Sequence, residues 1–135
     1  MAVTYSAAVK TNRLANVNDA INSKTYVAGS GTGSAGTLVI GTSALSGATG
    51  VLASITLPNP AATVSGSVLT IAGVPLTATA SATGTAALAE LRNNAGTVIV
   101  SGLTVGTSGT DIVISTTAIT SGQTVQLNSG TITHA

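Results

Sequence analysis

The 135-residue chain holds four Lys or Arg, three Asp or Glu and one His, for a formal net charge of +1 with only 5% charged residues. Globular domains average about 25% charged residues, and nucleic-acid binders cluster basic ones on a face, so this balance excludes an electrostatic footprint for DNA or RNA. Cys, Trp and Phe are absent; that removes disulfides, thiol chemistry and cysteine-based zinc sites, and leaves the core to Val, Ile, Leu, Ala and Thr methyls.

A hydrophobic fraction of 44% and a mean hydropathy of +0.55 argue against disorder, which goes with polar, highly charged chains. The length fits one globular domain. No stretch approaches the ~20 apolar residues of a membrane span, so no membrane partner is expected. MAVTYSAAVK lacks a basic region ahead of an apolar run, so no secretory leader is expected either. With so few charges the surface falls to Thr, Ser, Gly and Asn. Such a surface resists association poorly; it belongs either to a neutral-surfaced soluble domain or, the favoured reading, to a chain largely covered by partners in a large assembly.

Residues 1–27 form the first unit, a helix or arm. Three of the four basic residues (Lys10, Arg13, Lys24) lie here, and Ala7, Leu14, Val17 and Ile21 recur at helical spacing. Thr4 or Ser6 is the expected N-cap, and Asn22 or Ser23 the end. Asn12, Asn16 and Asn18 weaken the helix. It either covers an open edge of the β-domain or docks on a neighbouring subunit. Tyr5, Lys10, Arg13 and Tyr26 are the candidate protein-interaction residues, Tyr being a common interface anchor. The alternative for both tyrosines is packing under the helix.

Residues 28–36 form a Gly/Ser-rich loop. It contains Gly31-Thr-Gly33-Ser-Ala-Gly36. In a dinucleotide fingerprint those glycines join a strand to a helix, whereas here a helix precedes and a strand follows, so no nucleotide site is expected.

Residues 37–135 read as a β-sandwich. Thr37–Gly41 is a short apolar strand. Val51–Leu57 alternates, with Val51, Ala53, Ile55 and Leu57 on one face and Leu52, Ser54 and Thr56 on the other. Pro58-Asn59-Pro60 stops it. Gly66–Ala72 and Leu76–Ala80 follow. Thr85–Arg92 is read as a strand rather than a helix, because Asn93-Asn94-Ala95-Gly96 makes a good hairpin connection to Thr97–Val100. Ala87, Ala89 and Leu91 then share one face. Leu88, Glu90 and Arg92 take the other, which is solvated or covered by a partner. Leu103–Val105, Asp111–Ser115, Thr124–Leu127 and Thr131–Thr133 complete the set. Short strands with regular turns predict a mainly-β fold: an antiparallel β-sandwich or jelly roll with one N-terminal α-helix. Leu38–Leu45 with Ser46-Gly47 resembles Ile112–Ile119 with Ser121-Gly122. This is either a repeated unit in the two halves of the sandwich or a product of biased composition.

Chemistry-bearing groups are few: Asp19, Glu90, Asp111, His134, Lys10, Lys24 and the tyrosines. Asp111 at a strand start suits a turn-ending role through backbone N–H groups. His134, next to last, suits a frayed end. These do not compose an acid–base pair or a Ser–His–carboxylate set, so no catalytic residue, metal or cofactor is assigned and no enzyme is expected. A Lys–Asn isopeptide crosslink would need a strand lysine, and sugar stacking would need more aromatic rings.

The opening MAVTYSAAVKTNRL, the Gly-rich loop and the strands ending GTSGTDIVISTTAITSGQTVQLNSGTITHA resemble small tailed-bacteriophage virion proteins, above all in VSGLTVGTSGTDIV and ITSGQTV. The resemblance covers nearly the whole chain. It implies an N-terminal helix followed by a compact β-sandwich, and the role of a capsid decoration (cement) subunit on the virion surface. The implied partners are the major capsid protein and further copies of the chain. No functional residue is carried over, since no motif with an assigned role is matched. A tail, fibre or surface adhesin module that recognises a host receptor or glycan is the second reading.

Overall fold

The computed structural model describes residues 6–21, 35–46, 49–58 and 62–133. Tyr5, Lys24, Tyr26, His134 and most of the Gly/Ser-rich loop lie outside the described residues. The fold is mainly β with one N-terminal helix, as expected.

Helix α1 spans Ala7–Ile21. Ser6 is its cap: the Ser6 Oγ accepts the Val9 N–H at 3.4 Å, and the Ser6 carbonyl accepts the Lys10 N–H at 3.1 Å. Leu14 (3% exposed) and Ile21 (1%) are buried, and Val17 is half-buried. Ala7 departs from the expected stripe: the first turn is exposed, so the buried face begins at Leu14.

Eleven strands follow among the described residues: β1 (Thr37–Ser46), β2 (Thr49–Thr56), β3 (Ala62–Ser65), β4 (Val68–Ile71), β5 (Leu76–Thr79), β6 (Gly84–Thr85), β7 (Leu88–Arg92), β8 (Val98–Gly106), β9 (Ile112–Ile114), β10 (Ala118–Ile119) and β11 (Thr124–Thr133). The main sheet runs β2-β1-β7-β8-β9-β11-β4-β3, and β6 pairs with β10 in a small ribbon. β4 and β5 lie end to end along one edge of β11, since Thr131–Thr133 face β4 while Thr124–Leu127 face β5. β2 returns against the end of β5, where the Ser81 N–H donates to the Leu52 carbonyl at 2.8 Å. The sheet therefore curls on itself, and its two halves share one apolar interior.

That interior is built as the alternation predicted. Leu38 and Ile40 of β1 stand opposite Leu91 and Ala89 of β7, and Ile112, Ile114, Val125 and Leu127 fill the other half. A satellite cluster of Leu14, Ala62 and Leu69 seats α1 on β3 and β4. Full burial of each large aliphatic side chain contributes about 1.5–3 kcal/mol, so many small branched residues replace the missing aromatics.

Several expectations need correction. The sheet is mixed rather than wholly antiparallel, because β8 and β9 run parallel at Val105↔Ile112 and Gly106↔Val113. The overlap is only two residues, so the chain retraces about 7 Å, a distance that residues 107–111 span without a crossover helix. Thr97–Val100 and Leu103–Val105 are one strand, β8, and Thr124–Leu127 and Thr131–Thr133 are one strand, β11. Gly66 sits in a turn at φ 60° rather than opening a strand, and β3 precedes it. Leu52 is buried although it alternates with Ala53 and Ile55, because β2 bulges there: the register with β1 passes from Ile40↔Ala53 to Gly41↔Val51 and skips Leu52. Thr85–Arg92 is extended, but a break at Ala86–Ala87 divides it into β6 and β7, which puts Ala86 rather than Ala87 in the core. Leu38–Leu45 lies in one continuous strand, whereas Ile112–Ile119 breaks into β9 and β10 in different sheets, so the two segments are not equivalent units.

Candidate functional site

Of the four interaction candidates, Lys10 and Arg13 are described. They sit one turn apart on α1, with Arg13 exposed and Lys10 half-buried one turn before the buried Leu14. Tyr5 and Tyr26 lie outside the described residues, so the structure brings together only the helix half of that surface.

The paired charges of β7 are settled against each other. Arg92 Nη2 donates to Glu90 Oε1 at 2.7 Å, and Glu90 is 8% exposed on the side of the sheet away from the main core. Val39 stands directly opposite Glu90 and Ser54 opposite Val39, a row across β7, β1 and β2. On the other flank β8 bulges, with Gly102 at φ 73° supplying a conformation that other residues adopt at a cost. The pair is thus a nearly dry register device rather than a solvated face.

Asp111 closes a small ring with Thr104. Its Oδ2 accepts from the Thr104 N–H and from the Thr104 hydroxyl, each at 3.1 Å, while its own N–H donates to Thr104 Oγ1 at 3.1 Å. The Asp111 carbonyl also accepts the Thr131 N–H at 2.9 Å. The carboxylate therefore ties β8, the entry to β9 and β11 at the parallel junction, the turn-ending role its position suggested. Among the described residues no pocket is formed, and no three of His, Cys, Asp and Glu gather as metal ligands.

The most extensive feature is a face. Thr63, Thr70 and Thr131 stand in register across β3, β4 and β11, all exposed. Further along β11, Thr124 pairs with Thr79 and Gln126 with Thr77 on β5. Ser65, Asn128 and Thr133 extend the face. Neighbouring strands lie about 4.7–4.9 Å apart, so the hydroxyls form a close array. Behind it Leu69, Ile71, Val125 and Leu127 point into the core. None of these outward positions is charged. The face escapes a linear reading because it joins strands sixty residues apart; its one local trace is the T-x-T spacing at Thr77/Thr79 and Thr131/Thr133. No family model matches the chain, and no curated protein or solved structure matches it significantly.

Proposed function

We propose that the chain is a virion structural protein, a capsid decoration subunit that stabilises the head lattice through contacts with the major capsid protein and with copies of itself. The observation that carries this reading is the uncharged threonine face of β3, β4, β5 and β11. Packing such a face against a neighbour strips water from hydroxyls that can re-pair, and buries no charge, so close lateral contact carries little desolvation penalty. The resemblance to small phage virion proteins supports the same role. In this reading the capsid-side contacts fall on the N-terminal segment, at Tyr5, Lys10, Arg13 and Tyr26, and the β-body faces outward. No cofactor, nucleic acid or catalytic step is involved.

The same hydroxyls and amides suit the hydroxyls of a glycan, which keeps a fibre or adhesin module as the second reading. Purified protein added to undecorated capsids separates the two. Saturable co-sedimentation with the capsids, and slower rupture of the heads on heating, is expected. Failure to bind them, with retention on host cells or a glycan array, overturns the decoration role and leaves the adhesin.

A further inference from the structure

We draw no further inference here: the strongest candidate, the uncharged threonine face on β3, β4, β5 and β11, already carries the proposed function, and nothing in the structure shows what covers it.

Discussion

Gly36→Ala places a methyl where three elements meet. The new Cβ would lie 2.5 Å from the Arg92 carbonyl oxygen, 2.6 Å from the Ile21 carbonyl oxygen and 2.7 Å from Ile21 Cγ2. Neither the Arg92 backbone nor the backbone of residue 36 itself can easily yield. Arg92 is registered against Thr37 in the β1–β7 pair, and the Gly36 carbonyl accepts the Leu57 N–H at 3.0 Å. Ile21, at the end of α1, is buried but lies outside the strand ladders, so it is the neighbour expected to shift. Overpacking of this kind costs about 1–3 kcal/mol. With an unfolding entropy near 2.1 cal/mol/K per residue, a chain of this length has roughly 280 cal/mol/K, so Tm should fall by about 4–11 °C. Calorimetry measures that drop, and amide exchange locates it: exchange should quicken over Leu14–Ile21 while β1 and β7 stay protected. A Tm shift below about 1 °C, or loss of protection in β1 and β7 instead of α1, would refute the picture of a rigid sheet entry with a yielding helix end.

Two further substitutions test the charged groups. Glu90→Ala leaves the Arg92 guanidinium without its carboxylate on a nearly dry face and should cost about 3 kcal/mol in urea unfolding, whereas Glu90→Leu with Arg92→Met should regain most of that; equal costs for both would remove the pair's role in register. Asp111→Ala takes away a charged acceptor serving two donors of Thr104 and should cost about 1.5–3 kcal/mol, with faster exchange of the Thr104 amide; unchanged exchange there would show that the ring does not hold the junction.

Local signals were legible in the sequence and long-range ones were not. The Asn93–Gly96 connection was readable because its chemistry is local: Asn93 Oδ1 accepts the Ala95 and Thr97 N–H groups, and Gly96 takes φ 87°. The helix was readable from Leu14, Val17 and Ile21. By contrast, glycines inside β8 and β11 look like strand breaks. Gly102 instead marks a bulge, and the buried Gly130 lets Ile71 and Ile112 approach within 2.6 and 3.1 Å of its Cβ position. A one-dimensional reading does not separate a glycine that ends a strand from one that bends it. The parallel β8–β9 contact was equally hidden, because it depends on Asp111 and Thr104 folding the chain back over two residues. Leu52 was hidden for a further reason: the β1–β2 register skips it, a bulge that simple alternation does not show.

The same contrast bears on where function sits. Each charge described on the β-body is used within the fold: Glu90 and Arg92 bind each other, and Asp111 serves Thr104. None is left facing outward on the threonine array. Lys10 and Arg13 lie on α1, outside the sheet. The outer face of β3, β4, β5 and β11 therefore offers hydroxyls and amides. A chain arranged in this way separates two kinds of contact. Under the proposed function, a capsid contact made through Lys10 and Arg13 should weaken as salt rises. Under the same proposal, contacts through the threonine face should depend little on salt, since it has no charge to screen. If capsid binding weakens with salt while contacts between copies persist, the two surfaces act separately, as their chemistry requires.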